Sequence, residues 1–192
     1  MIELSELKEA WNRDEVQSIS RRYFISNGFD GTLTSIGITV GSFLSGVPSG
    51  LTVFQIGLGA TIGLATSGIW SVWEIERAEK LAEVQDLEKS MLRDLDGTKV
   101  YERKMEGRVI NALMSGLGPT LAMLLIIAPF LLETVFLTML QATLISVAVA
   151  VALLFSFGAY MGSMSKQRWY VAGIRMGLAG LVVAALNVVL PG

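Results

Sequence analysis

Five apolar stretches, each close to the length of a membrane-spanning helix, limit the folds open to this chain. Crossing a bilayer takes about 20 predominantly apolar residues in a helix. The five stretches lie at about residues 23–47, 51–73, 109–132, 135–160 and 171–190. They predict an all-α membrane protein with five transmembrane helices.

The connections between these stretches alternate in charge, and this predicts their sidedness. All 15 lysines and arginines lie before the first stretch, between the second and third, or between the fourth and fifth and just inside the fifth. The connections SGVPSG and LLET and the tail VLPG contain none. Because basic connections stay on the inner side, we expect a cytoplasmic N-terminus and an outer C-terminus. The host is a cell membrane or, in a eukaryote, a vacuole-type membrane.

Composition agrees with a membrane protein and removes much catalytic chemistry. Hydrophobic residues make up 52% of the chain and charged residues 17%, against about 25% charged in a typical soluble domain. Cysteine and histidine are absent, which excludes thiolate nucleophiles, imidazole bases and the usual zinc motifs. We expect no enzyme, no permanently bound cofactor and no nucleic-acid partner. A bound metal would use oxygen or methionine ligands, which suit hard or intermediate divalent ions.

Two charged segments flank the first two spans and complete the predicted organisation. Residues 1–22 have apolar residues near helical spacing and predict an amphipathic helix that either lies on the inner membrane surface or docks on the protein's own cytoplasmic part. Spans 1 and 2 follow at 23–73. Residues 74–108 predict a helical hairpin that extends spans 2 and 3 into the cytoplasm, and spans 3 to 5 occupy 109–192. We expect its first helix to end at about Leu95, with a turn at Asp96-Gly97-Thr98 and Gly97 as the cap.

The hairpin places several carboxylates on shared helix faces. Its acidic residues at helical spacing are Glu76, Glu79, Glu83 and Asp86 on the outgoing helix and Glu102 and Glu106 on the returning one. One interpretation is a solvated face with ordinary ion pairs such as Glu76–Lys80 and Asp86–Lys89. The other is a cation site, because carboxylates four residues apart repel each other unless a cation relieves them.

Asp30 stands between Phe29 and a long apolar stretch, and two interpretations are open for it. As a helix cap at the surface it would leave a first span of only 17 residues, from Gly31 to Val47. If the helix instead begins near Tyr23, Asp30 lies inside the membrane, where ionisable residues usually mark ion or proton pathways. Asn27-Gly28 would then break the helix locally and free carbonyl groups for an ion.

Small residues recur at helical spacing within the spans. Pairs with GxxxG spacing, which lets helix backbones approach closely, are Gly37–Gly41, Gly59–Gly63, Gly158–Gly162 and Gly173–Gly177. They predict either tight packing within one subunit or a dimer interface. Pro119 and Pro129 predict a kinked third span.

Four segments resemble the vacuolar iron transporter family. NGFDGTLTSIGITVG resembles its first span, and GIWSVWEIERAE matches in spacing the end of its second. NALMSGLGPTLAMLLIIAPFLL resembles the third span, and GIRMGLAGLVVAALNVVL is similar to the fifth. The family often has a methionine and a glutamate in its second span, where this chain has Ala65 and Ile69.

The resemblance implies a function and its residues. Family members export Fe²⁺, and often Mn²⁺, from the cytoplasm in exchange for protons, and they act as dimers. It implies that Asp30, beside Asn27, is the intramembrane carboxylate that exchanges metal for protons. It also implies that the hairpin carboxylates collect metal: Glu76, Glu79, Glu83, Asp86, Glu102 and Glu106.

Two other functions remain open from the sequence, and a third, an oxidase, is disfavoured. A non-transporting membrane protein would use the hairpin to sense metal or bind a partner. A di-iron carboxylate oxidase would need Glu-x-x-His motifs, which a chain without histidine cannot supply. A carrier for an organic solute is permitted by the polar residues within the spans but not suggested by them.

Overall fold

Five helices make up the described part of the chain. The computed structural model describes residues 11–92, 94–95, 98–133 and 135–190, and no strand occurs within these ranges. The helices are α1 (Asp14–Leu44), α2 (Gly50–Met91), α3 (Lys99–Ile127), α4 (Met139–Met164) and α5 (Trp169–Val189). A 3₁₀ segment, Ala128–Leu132, continues α3 and has Pro129 near its start. The all-α prediction is confirmed for these residues.

Four of the five helices are long and apolar enough to cross a membrane. They are α2, α4, α5 and the 27-residue segment Glu106–Leu132 that contains most of α3. The helix that does not qualify is α1, although it has 31 residues. The prediction of five spans is therefore supported for four helices by length and composition.

The position of α1 explains its low hydropathy. It packs against α2, α3, α4 and α5, and its buried residues include many small and polar ones: Ser20, Gly28, Gly31, Thr32, Ser35, Thr39 and Ser42. A helix surrounded by other helices needs small side chains for close approach, whereas only lipid-facing positions need large apolar ones. At Gly31, for example, a Cβ atom would lie 2.9 Å from Pro119 Cα.

The hairpin turn and the N-terminal segment both differ from their predictions. α2 ends at Met91 rather than near Leu95, because Leu92 adopts a left-handed conformation (φ 50°) that stops the helix. The predicted cap Gly97 and residues 1–10 lie outside the described residues. Residues 14–22, predicted to belong to a separate surface helix, instead form the first turns of α1.

The two ends of the bundle carry different chemistry. At one end, called here the hairpin end, the start of α1 contacts α2 and α3 through ion pairs of Lys80 with Glu15 and of Arg13 with Glu106. At the opposite end the Gly50 amide donates to Glu133 Oε2 at 3.1 Å. α2 has 42 residues, about 63 Å of helix, and so projects well beyond a hydrocarbon core of about 30 Å.

Packing between α4 and α5 uses two of the four GxxxG pairs. A Cβ atom on Gly158 would lie 2.5 Å from the Ala172 carbonyl oxygen, and one on Gly173 would lie 2.8 Å from the Phe155 ring. Gly59 and Gly63 on α2 have no atom within 4 Å of such a Cβ position. Gly158 and Gly173 therefore allow α4 and α5 to pack closely. Gly59 and Gly63 pack against no other described residue.

Candidate metal and proton site

Asp30 lies inside a continuous helix and does not cap one. α1 begins at Asp14, sixteen residues earlier, and runs on to Leu44. Asp30 is eight residues beyond Arg22, which is about 12 Å along the helix axis. If the arginines lie at the headgroups, Asp30 is therefore within the hydrocarbon region.

Asp30 lines a cleft of about 320 Å³ between α1 and α2. The residues that line it are Tyr23, Ser26, Asn27, Asp30, Leu64, Ser67, Gly68, Ser71, Val72, Ile75 and Pro119. Five of these residues carry hydroxyl or amide groups: Tyr23, Ser26, Asn27, Ser67 and Ser71. Asp30 is exposed within this chain, and no described basic residue forms a salt bridge with it. The cleft thus offers oxygen ligands around a carboxylate that has no cationic partner among the described residues.

Asn27 is held in place by α3, one turn before Asp30. Its Nδ2 donates to Ser115 Oγ at 2.6 Å and to the Ser115 carbonyl at 3.1 Å. No hydrogen bond from the described residues reaches its Oδ1. Since the amide nitrogen is directed to α3 and Asn27 lines the cleft, the Oδ1 atom is the part of this side chain left to bind an ion.

The predicted helix break at Asn27-Gly28 is wrong. The helix is continuous there, and the Thr32 and Thr34 hydroxyls donate to the Gly28 and Asp30 carbonyls at 2.7 and 2.8 Å. Gly28 serves close packing, because a Cβ atom there would lie 3.1 Å from the Phe157 ring. Any ion in the cleft would therefore depend on side chains rather than on freed carbonyls.

Glu76 is the most buried of the hairpin carboxylates. The residue is 1% exposed, and its Oε2 atom has no hydrogen-bond partner among the described residues. The side chain of Tyr23 lies close enough to interact with this carboxylate, and Tyr23 also lines the Asp30 cleft. Asn111 on α3 is also 1% exposed, with an unpartnered Oδ1 atom. A buried carboxylate oxygen without a partner is unfavourable unless a proton or a cation neutralises it.

The other predicted hairpin ligands are dispersed or already paired. Glu83 binds Lys80 at 3.0 Å, Asp86 binds Lys89 at 3.3 Å, and Glu106 binds Arg13. Glu79 and Glu102 are exposed. Within the described residues no group of three or more carboxylates is close enough to hold one metal ion.

Of the two ion pairs expected from a solvated face, one forms and one does not. The Asp86–Lys89 pair is present. Lys80 does not pair with Glu76 but donates to Glu15 at 2.9 Å and to Glu83 at 3.0 Å. Burial opposes the charge of Lys80, but hydrogen bonds to these two carboxylates outweigh it and raise the pKa of the ammonium group. Lys80 therefore joins the start of α1 to α2 as a cation.

Ala65 and Ile69 pack against α3. A Cβ atom on Gly116 of α3 would lie 2.5 Å from Ile69 Cγ1 and 3.1 Å from the Ala65 carbonyl. These two residues stand where the family often has a methionine and a glutamate; here they fill the α2–α3 contact and supply no ligand side chain.

Comparison with known proteins identifies the family. The model of the VIT family, the vacuolar iron transporters, matches residues 70–190. This chain belongs to the VIT family. The resemblance seen in the sequence is confirmed, and the chain is a member of a family of metal-ion transporters rather than of enzymes. The match covers the hairpin and the last three spans and begins after Asp30.

One relative aligns with more of this chain than the family model does, but its function is not known. An uncharacterized protein of Methanocaldococcus jannaschii is 28% identical over 168 residues, which is 86% of this chain and 85% of that protein. No solved structure matches.

Proposed function

We propose that this chain moves a divalent metal ion, Fe²⁺ and secondarily Mn²⁺, out of the cytoplasm in exchange for protons. The observation that carries the proposal is the placement of Asp30 in the middle of α1, in a cleft lined by hydroxyl and amide groups. Membership of the VIT family supplies the class of cargo. α1 is the fifth span of this proposal, and the other four helices pack against it.

Asp30 couples the two fluxes because one carboxylate does not hold both a proton and a metal ion favourably. In the deprotonated state it binds the cation together with Asn27 Oδ1 and hydroxyls of the cleft. Protonation from the outer side removes the charge that holds the cation, and the metal leaves. A carboxylate at membrane depth without a basic partner suits this exchange, since proton or metal is then its only neutralising species.

Glu76 is the proposed relay between the hairpin and the cleft. It is buried, has an unpartnered oxygen, and lies beside Tyr23, which also lines the Asp30 cleft. Among the remaining hairpin carboxylates, Glu83, Asp86 and Glu106 collect metal only by competing with the ion pairs that they already make. They therefore act as weak surface sites, with Glu79 and Glu102 directly available.

A homodimer completes the proposed site. Gly59, Gly63, Ser67 and Ser71 follow one another at four-residue spacing on α2, and all are exposed within this chain. Ser67 and Ser71 also line the Asp30 cleft. Exposing Asp30 to lipid would be costly, so a second copy packed on this small-residue face shields the cleft and leaves a polar path between the subunits.

The test is transport by the purified protein in liposomes. Uptake of Fe²⁺, Mn²⁺, Zn²⁺ and Ca²⁺ is measured in parallel while a trapped dye reports internal pH. Wild-type protein should move Fe²⁺ and Mn²⁺ with opposite proton movement. Asp30→Asn should abolish both, whereas Asp14→Asn, the same change in the exposed first turn of α1, should leave them intact.

The results separate the proposal from its rivals. Undiminished flux in Asp30→Asn removes Asp30 from the mechanism. Metal binding without flux in the wild-type protein indicates a sensor or partner-binding protein in place of a transporter.

A further inference from the structure

A second cavity lies between α1 and the α4–α5 pair at the hairpin end, on a different face of α1 from Asp30. Its volume is about 670 Å³. The lining residues are Ser18, Arg21, Arg22, Ile25, Ser26, Phe29, Met161, Met164, Ser165 and Met176. Only Ser26 also lines the Asp30 cleft. The proposed transport reaction does not use this cavity.

One end of the cavity carries positive charge that the described residues do not neutralise. Arg21 Nε is buried and has no hydrogen-bond partner among the described residues. Arg22 lies over the Tyr23 ring, 5.7 Å from its centroid. Neither arginine forms a salt bridge with a carboxylate in the described ranges. Because guanidinium groups bind phosphate by paired, charge-assisted hydrogen bonds, this end is suited to a phosphate group.

The rest of the cavity is apolar and much larger than a phosphate. Ile25 and Phe29 form the α1 wall, and Met161 and Met176 form the opposite wall. From Arg21 to Phe29 the wall follows eight residues of helix, about 12 Å along the axis. A ligand that fills it therefore joins an anionic head to a hydrocarbon chain.

We propose that this cavity binds an anionic phospholipid of the leaflet at the hairpin end. The phosphate pairs with Arg21 and Arg22 where these residues meet the headgroups, and an acyl chain occupies the groove between α1, α4 and α5. Basic pockets between transmembrane helices are suited to anionic headgroups. At the hairpin end, the bound lipid fills the space between α1 and the α4–α5 pair, where these helices do not pack directly.

The experiment measures lipid retained by the purified full-length protein. Protein is equilibrated with mixtures of phosphatidylglycerol and phosphatidylcholine in detergent, and bound lipid is counted by native mass spectrometry. Phosphatidylglycerol should be retained at least about tenfold more strongly than phosphatidylcholine, because the choline cation of the latter offsets the charge of its phosphate and is repelled by the arginines. The double variant Arg21→Gln/Arg22→Gln should lose this preference.

Controls test each half of the proposed ligand. Arg168→Gln removes the same charge from an exposed position outside the cavity and should retain the preference. The single variant Arg22→Gln changes an exposed side chain, so it keeps the test open if the double variant does not fold. Met176→Trp fills the groove and should reduce retention, whereas soluble glycerol 3-phosphate should not displace the lipid.

Three outcomes would overturn the proposal. The first is equal retention of both lipids by the wild-type protein. The second is an Arg168→Gln variant that loses as much preference as the arginine variants of the cavity. The third is displacement by glycerol 3-phosphate, which would indicate a phosphate site without an acyl chain. Transport activity is not needed for any of these readings, so they are independent of the proposed function.

Discussion

Asn27 on α1 donates its amide to both the hydroxyl and the carbonyl of Ser115 on α3, at 2.6 and 3.1 Å. This contact fixes which end of the Asn27 amide is available to the cleft that contains Asp30. Gly68 of α2 lies close to the same contact, since a Cβ atom on Gly68 would lie 2.9 Å from Ser115 Oγ. Three helices thus meet one turn before the proposed exchange carboxylate.

Replacing Ser115 by alanine should reduce transport more than it reduces stability. The variant loses the hydrogen bond to the Ser115 hydroxyl, about 1 kcal/mol of unfolding free energy, and leaves the Asn27 amide held only by the 3.1 Å bond to the backbone carbonyl. Metal-driven proton flux in liposomes and unfolding in detergent are the two measurements. Ser163→Ala removes an exposed hydroxyl that donates only to the Tyr160 carbonyl and should change neither. Full flux in Ser115→Ala would show that transport does not need the Ser115 hydroxyl to orient Asn27.

Replacing Glu76 by glutamine should weaken metal uptake without weakening the fold. The neutral isostere removes a buried charge with an unpartnered oxygen, so the unfolding free energy should stay the same or rise. The metal concentration for half-maximal uptake should increase about tenfold, because a charged ligand is lost. Glu74→Gln, at an exposed position on the same helix, is the matched control. A destabilised variant with normal uptake would assign Glu76 a structural role instead.

Two glycine substitutions should separate packing within the chain from packing between copies. Gly158→Ala places a methyl group 2.5 Å from the Ala172 carbonyl and should cost about 1–3 kcal/mol by overpacking. A Cβ atom at Gly63 meets no atom within 4 Å in this chain and Gly63 is exposed, so the protomer of Gly63→Leu should still fold. If the α2 face joins two copies, Gly63→Leu should shift the protein from dimer to monomer in light scattering. An unchanged dimer would move the interface to another face.

The sequence predicts the helices well because span length and charge are local properties. The positions of α2, α4 and α5 follow from runs of apolar residues, and the continuation of α2 into the hairpin follows from its unbroken helical spacing. Two errors concern the end of one helix and the continuity of another. The helix through Asn27-Gly28 stays continuous where Gly28 packs closely, since a Cβ atom there would lie 3.1 Å from the Phe157 ring. The end of α2 at Leu92 is not explained by packing, because Leu92 is 94% exposed.

The site is less accessible from sequence because it depends on helix register. Spacing on α2 places Glu76, Glu79, Glu83 and Asp86 on one face, but it does not show that only Glu76 of the four is buried. Tyr23, Ser115 and the buried Asn111 are ordinary polar residues in their own segments. They acquire meaning only when three helices are aligned, and a single sequence contains no signal for that alignment.

Lys80 gives the last prediction, a difference in how stability depends on alkaline pH. Its Nζ atom binds Glu15 and Glu83, its side chain is 8% exposed, and its pKa is raised by these hydrogen bonds against the opposing effect of burial. The folded state therefore holds this proton more tightly than the unfolded chain, whose lysine pKa is about 10.4. The resulting stabilisation is complete below that unfolded value and is lost as the pH rises through the higher folded value.

Unfolding free energy measured in detergent from pH 9 to 12 should fall more steeply for wild type than for Lys80→Met. Lys89→Met, which removes an exposed lysine paired only with Asp86, should follow the wild-type slope. Parallel slopes for wild type and Lys80→Met would show that the contact between α1 and α2 does not depend on this charge.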